Sequence, residues 1–220
     1  MWENVHWLGH ASFRIDEAQV IYIDPWKLKQ AKPADLILVT HGHGDHLSLT
    51  DIARISQPDT VVVCPASCAP ALRGAWVPAL RGAGADAISG DVRVIAPGES
   101  LRVGDVLVEA VPSYNTNKPN HPKAAGNLGY ILEVAGQRIY HAGDTDLIPE
   151  MSQVRCDLAL LPMGGTYTMD AQEAAQAAAL IKPKAVVPMH WGDIVGSKGD
   201  VERFKRGVPD DVEVLVLPEE

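Results

Sequence analysis

Several things are scarce or missing in this chain of 220 residues, and each removes a class of protein. There is no basic excess: 19 Lys and Arg face 28 Asp and Glu, for a formal charge of -9. So acidic a chain offers no electrostatic footprint for extended nucleic acid or an anionic membrane, although a local basic loop can still hold one phosphate. Cysteine is scarce and odd in number, with Cys64 and Cys68 spaced C-x3-C and Cys156 far from both. That count fits neither a disulfide framework nor a four-cysteine zinc site, so the three read as small apolar residues in or beside core strands. No apolar run approaches the roughly 18 residues of a membrane span. The segment ENVHWLGHASFRI after Met1 is strand-like and lacks the basic and apolar parts of a secretory leader, so the expected location is the cytoplasm. No Ser/Gly linker or charge block divides the chain, and one domain spanning 1–220 is the expectation.

What is present is ordinary globular material, 46% hydrophobic and 21% charged, in a length that buries about 70% of its unfolded surface. Short apolar runs rich in β-branched residues recur: VHWL, ASFRI, QVIYID, DLILVT, TVVVC, DVRVI, VLVEAV, LGYILEV, QRIYHA, DLALLP, AVVPMH and VEVLVL. Helical patterns fall between some of them, at about 48–57, 66–73, 147–152, 170–182 and 200–206. In MDAQEAAQAAALIKP, Asp170 fits an N-cap, Glu173 stands three residues on as in a capping box, and Lys182-Pro183 stops the run. Strands with helices interspersed in both halves predict an α/β (α+β) fold, sheets covered by helices. The Ala/Gly/Pro-rich stretch 65–90 reads as short helices and surface loops.

The chemistry is concentrated in THGHGDH, Thr40 to His46. The buried-type run DLILVT ends at His41, and Gly42 and Gly44 loosen the backbone so that the chain can curl. In an extended segment His41 and His43 project to one side, and a turn at Gly44 brings Asp45 and His46 to a neighbouring point. That pattern suits two adjacent cations, since imidazole nitrogen and carboxylate oxygen are good ligands for zinc and related ions. Asp45 or Ser48 also fits the N-cap of the following helix. Two later β runs end in matching donors: RIYHAGDTD offers Asp144, whose two oxygens can bridge cations, and AVVPMHWGD offers His190. A bound divalent ion brings the pKa of its water to about 7, so no nucleophilic side chain is required, and Asp45 or Asp144 is left to take up the proton.

H-x-H-x-D-H after a strand, then a distant Gly-Asp and a distant His, resembles the metallo-β-lactamase fold superfamily over nearly the whole chain. WLGHASFRI, YIDPW, YHAGDTD and LLPMGGTYTM resemble its metal-dependent hydrolase branch, which includes L-ascorbate-6-phosphate lactonase-like proteins. The resemblance implies an αββα sandwich of two mixed sheets flanked by helices, and a dinuclear site using a metal-bound hydroxide. It implies His41 and His43 on the first metal, Asp45, His46 and His190 on the second, and Asp144 between them. Relatives also place a third histidine of the first metal at a strand end, where this chain reads Pro112-Ser113-Tyr114-Asn115. The nearest replacement is His121, in a Pro-flanked polar loop.

Other residues receive weaker assignments. His10, at a tight turn in GHASF, is read as either a support of the metal ligands or a structural residue, His141, beside the bridge region, as a support rather than a ligand, and His6 carries no placement signal. Asp24 in YIDPW either fixes the tautomer of a ligand histidine or caps a turn. The loop YNTNKPNHPK, with Tyr114, Asn115, Lys118 and Lys123, is a candidate for orienting a small anionic ester, phosphodiester or lactone. The cofactor expectation is two divalent ions, zinc first, with manganese, iron and nickel accepted by the same donors. The partner expectation is a small-molecule substrate, with no extended nucleic acid and no membrane; homo-oligomerisation is open. Two other readings compete with the hydrolase: an iron-dependent redox enzyme, and a non-catalytic metal-binding or regulatory protein with a degenerate site.

Overall fold

The computed structural model describes residues 2–74 and 90–220. Within it the twelve apolar runs become strands and a thirteenth joins them, forming two mixed sheets, one in each of two compact units. The first unit comprises Met1–Ala96 with Pro218–Glu220, and the second Pro97–Leu217.

In the first unit the sheet order follows the chain: β1 (Val5–Gly9), β2 (Ser12–Asp16), β3 (Val20–Ile23), β4 (Leu36–Leu38), β5 (Val61–Cys64) and β6 (Asp91–Val94). β1, β2 and β3 pair antiparallel, whereas β3 through β6 pair parallel. Residues on β3 to β5 are buried on both alternating sets, which is why these strands read as unbroken apolar runs. One set, Tyr22, Ile37 and Val62, forms a core with Ile52 and Ile55 of α1 (Leu49–Ile55) and with Ala69 and Leu72 of α2 (Ala69–Leu72). Ser48 caps α1, its hydroxyl accepting from Asp51 N, so the helix start lies beyond the histidine motif. The expected short helix in 65–90 is α2; the rest of that expectation lies at 75–89, outside the described residues. The outer edge of β1 is met by the returning chain: Trp7 bridges Glu219, and Glu220 N donates to Trp7 O at 3.0 Å.

The second sheet runs in order β13, β12, β11, β10, β9, β8, β7. Its strands are β7 (Ser100–Val103), β8 (Val106–Pro112), β9 (Leu128–Val134), β10 (Gln137–His141), β11 (Leu158–Pro162), β12 (Ala185–Met189) and β13 (Glu213–Val214). β7 to β10 are antiparallel neighbours and β10 to β13 parallel ones. α3 (Ala171–Ile181) lays an alanine-rich face, Ala171, Ala174, Ala175, Ala177 and Ala178, into a core shared with Ala159, Leu161, Val186 and Phe204 of α4 (Lys198–Gly207). Small side chains let the helix come close. Its capping box is present: Asp170 accepts from Gln172 N and Glu173 N, and the Glu173 carboxylate accepts from Asp170 N. The expected helix at 147–152 is instead a 3₁₀ segment, Pro149–Gln153, of the short kind in which that geometry occurs.

Strand direction explains how scattered motifs are gathered. In the first sheet β1, β3 and β4 run the same way, and their C-terminal ends deliver His10, Asp24 and the His41 motif to one edge. In the second sheet β8, β10 and β12 run the same way, and the loops leaving them carry His121, Asp144 and His190. Ligand sites of sheets with parallel strands lie at such carboxyl ends.

Candidate metal centre

The first unit holds one donor set. Asp24 is completely buried and its carboxylate accepts three bonds: Thr40 N to Oδ1 at 2.8 Å, Thr40 Oγ1 to Oδ2 at 2.6 Å, and His46 Nδ1 to Oδ2 at 2.7 Å. Because the Thr40 hydroxyl spends its proton on Asp24, Oγ1 can only accept from His41 Nδ1, 3.0 Å away. One carboxylate thereby sets two tautomers, placing a proton on Nδ1 of both His41 and His46 and a lone pair on both Nε2 atoms. His41 Nε2 lies 3.0 Å from His43 Nδ1. Two nitrogens bound to one tetrahedral zinc at about 2.05 Å stand about 3.3 Å apart, so this spacing needs little change to receive an ion. His46 Nε2 lies 3.6 Å, and His10 Nε2 3.1 Å, from the same oxygen, Asp45 Oδ2.

Glycine freedom is not what shapes this motif, contrary to the expectation for Gly42 and Gly44. Neither adopts a left-handed backbone, and a Cβ on Gly44 would meet nothing within 4 Å. The left-handed torsions fall elsewhere: His10 has φ of 51°, Asp24 of 47° and His190 of 60°. Half of the six described non-glycine residues with positive φ therefore belong to the donor sets of one or the other unit, where such conformations hold a side chain in a set direction.

The second unit holds the other set. Asp144, 2% exposed, places Oδ2 3.1 Å from His190 Nε2 and 3.4 Å from His121 Nε2. His121 is delivered by the loop after β8. Its Nδ1 faces two acceptors, Asn115 Oδ1 at 3.1 Å and the Tyr167 carbonyl at 3.2 Å, so the hydrogen is on Nδ1 and the Nε2 lone pair points at the carboxylate. A lone pair aimed at a carboxylate oxygen is an arrangement that an intervening cation reconciles. The same holds for His46 and Asp45, and the residues present fit divalent ions on both counts. Gly164 leaves room for His190: a Cβ there would stand 2.6 Å from the His190 carbonyl oxygen.

The remaining expected residues are placed as follows. His141 is fully buried, and its Nδ1 accepts from Gly143 N at 3.2 Å, in the turn that presents Asp144. The Tyr114 hydroxyl donates to Glu150 Oε2 at 2.8 Å, and Lys123 Nζ lies 2.8 Å from Glu150 Oε1. That pairing holds the Glu150 carboxyl below its ordinary range. Lys118 Nζ sits 2.5 Å from Asp146 Oδ1. Both lysines thus face carboxylates. His6 lies at the returning chain, 2.6 Å from Glu220 Oε1. Sequence reasoning missed Thr40 and Asp146, although both stand inside quoted motifs. Burial alone would push the Asp146 carboxyl up, but hydrogen bonds from Lys118 and from Thr116 N hold it below the usual carboxylate range.

Sets of imidazoles and carboxylates, most of them buried, beyond the strand ends of two mixed sheets define a metallohydrolase. A family model described as a beta-lactamase superfamily domain matches residues 4–190. A UPF0173 metal-dependent hydrolase from Thermococcus onnurineus is 34% identical, the match covering 97% of this chain and 95% of that one. A Parabacteroides distasonis crystal structure, provisionally described as a metal-dependent hydrolase, is 30% identical with a TM-score of 0.79, covering 97% of this chain and 91% of the other. A metallo hydrolase from Ignicoccus hospitalis, at 24% identity and a TM-score of 0.72, shares the fold over 98% of this chain and 94% of its own. The chain belongs to the metal-dependent hydrolases of the metallo-β-lactamase superfamily.

Proposed function

We propose that the two donor sets serve one dinuclear centre that hydrolyses a small ester-type bond, in an anionic ester, phosphodiester or lactone. His41, His43 and His121 would hold the first ion, Asp45, His46 and His190 the second, and Asp144 would bridge. The observation that carries this reading is Asp144 Oδ2 standing 3.4 and 3.1 Å from the Nε2 atoms of His121 and His190, the relation a bridging carboxylate has to ligands of two different ions. Ions bound there would acidify water and polarise the scissile group, zinc being the first candidate and manganese, iron and nickel fitting the same donors.

The chain's own groups divide the remaining work. Asp24 and Thr40 keep the ligand nitrogens of His41 and His46 deprotonated, and Asn115 does so for His121. Asp144, at 3% side-chain exposure, would be committed to the ions, whereas Asp45 is 20% exposed and would receive a proton at Oδ1, the oxygen turned away from His46, and pass it to the leaving group. Lys118 and Lys123 face carboxylates, so we assign neither to the substrate's negative charge. No helix of the described residues is long and apolar enough to cross a membrane. We place the enzyme in the cytoplasm, a reading supported by three cysteines without a disulfide.

Metal analysis of protein purified without chelator tests the centre, with about two ions per chain expected. A panel of phosphodiesters, lactones and thioesters assayed on the metal-loaded enzyme tests the chemistry, and Asp144→Ala should abolish turnover. A metal-free protein, or an Asp144→Ala variant active within a few-fold of wild type, would sink the proposal; iron with no hydrolysis would favour redox chemistry.

A further inference from the structure

We propose that Asp146 is a positioning residue for the metal centre: it pins the loop 115–121 so that His121 supplies the nitrogen for which relatives use a histidine at the strand end. The inference rests on the ligand role given to His121 above.

Asp146 is 1% exposed and five donors from one short loop converge on it. Oδ1 accepts from Asn115 Nδ2 at 3.1 Å and Lys118 Nζ at 2.5 Å, and Oδ2 from Thr116 N at 2.8 Å, Thr116 Oγ1 at 3.3 Å and Asn117 N at 3.4 Å. The bonds do more than anchor. Asn115 Nδ2 is drawn to Asp146 and to the Tyr167 carbonyl at 2.9 Å, which fixes the orientation of its amide and turns Oδ1 the other way. There Oδ1 accepts from both His121 N at 3.0 Å and His121 Nδ1 at 3.1 Å, while Asn115 N donates to His121 O at 2.7 Å. A chain of directed bonds thus runs from Asp146 through Asn115 to the His121 ring, and decides which ring nitrogen is left facing Asp144.

A buried ion pair such as Asp146 with Lys118 is a poor stabiliser compared with apolar side chains of equal volume, because desolvation offsets most of the attraction. The presence of Asp146 in a buried position is accounted for by what it specifies. His121 stands in a loop and not at a strand end, and such a ligand needs its backbone and tautomer set by neighbouring groups. Asp146, two residues from Asp144 on the same rigid turn, references the loop to the bridging carboxylate itself.

The test is metal affinity, read by competition of the zinc-loaded full chain with a chromophoric chelator, beside the melting temperature of each chelator-treated apoprotein. Wild type should hold two zinc ions and His121→Ala should loosen one of them. Asp146→Ala should loosen that same ion by about 10–100-fold and leave the other unchanged. The double variant should bind no more weakly than His121→Ala alone, a non-additivity that a merely structural role would not produce. Should Asp146→Ala fail to fold, Asn115→Ala interrupts the same chain of bonds and should loosen the same ion. Wild-type affinity for both ions in Asp146→Ala or Asn115→Ala, while His121→Ala loses one, overturns the positioning role alone. Two tightly held ions in His121→Ala would instead overturn the ligand assignment beneath it.

Discussion

Replacing Asp24 by Asn changes one atom in a side chain that is completely buried, and its consequence follows from the bonding. Asparagine tolerates the left-handed backbone of this position, φ 47°, so the main chain is not the perturbed quantity. If the amide oxygen keeps Thr40 N, the NH2 group takes the place of Oδ2 and donates to Thr40 Oγ1 and towards His46 Nδ1. The Thr40 hydroxyl then turns its proton to His41 Nδ1, and both His41 and His46 are driven to carry hydrogen on Nε2, the nitrogen meant for metal. If the amide flips, the NH2 group meets Thr40 N instead, and a buried donor pair costs about 1–3 kcal/mol. Loss of such a supporting carboxylate weakens metal binding by about 10–100-fold, or about 1.4–2.8 kcal/mol. Zinc affinity by chelator competition measures it, with the apoprotein melting temperature reporting the flipped alternative. An Asp24→Asn protein with both wild-type zinc affinity and wild-type apoprotein stability would refute the tautomer argument.

Gly164→Ala would drive a Cβ to 2.5 Å from Val195 Cγ2 and 2.6 Å from the His190 carbonyl oxygen. At about 1–3 kcal/mol for overpacking, the melting temperature should fall by roughly 3–10 °C, and an unchanged calorimetric transition would contradict the packing. For Asp16, burial raises the carboxyl but bonds from Arg14 and Lys32 pull it lower, to a folded value below 3.8. A depressed folded pKa stabilises above the unfolded value and the gain is lost as pH falls through the folded one. Asp16→Asn should therefore melt below wild type at pH 7, and the difference should close as pH drops below 3.8; a constant gap would exclude the linkage. Burial pushes the thiols of Cys64 and Cys156 up to about 12 and that of Cys68 to about 11. With thiolate on the order of one part in a thousand or less at pH 8, none should react with iodoacetamide before unfolding, and rapid native labelling by mass spectrometry would contradict it.

Every run read as a strand is a strand: burial on both faces leaves unbroken apolar segments in β4, β5, β11 and β12, and alternating burial marks β8. The one overlooked strand, β7 (Ser100–Val103), is short and carries exposed Ser100 and Arg102, so its sequence resembles the hairpin loops around it. The first donor set was legible because its residues are adjacent in sequence and follow one strand. His121 and Asp144 are separated by two strands, and their relation depends on a loop whose conformation is dictated by Asp146, a contact that periodicity does not encode. The carboxylate partners of the loop lysines, Asp146 and Glu150, lie in a distant stretch of sequence and could not be read from the loop itself.

Pro218–Glu220 belong to the first unit although the whole second unit intervenes in the chain. Glu219 and Glu220 meet the edge strand β1, and Glu220 also reaches Arg14 and His6. During synthesis the ribosome makes all of Pro97–Leu217 before it supplies the piece that covers that edge. The amino-terminal unit therefore receives its last edge contacts only after the second unit has been made. Until then β1 presents an unprotected strand edge to neighbouring nascent chains.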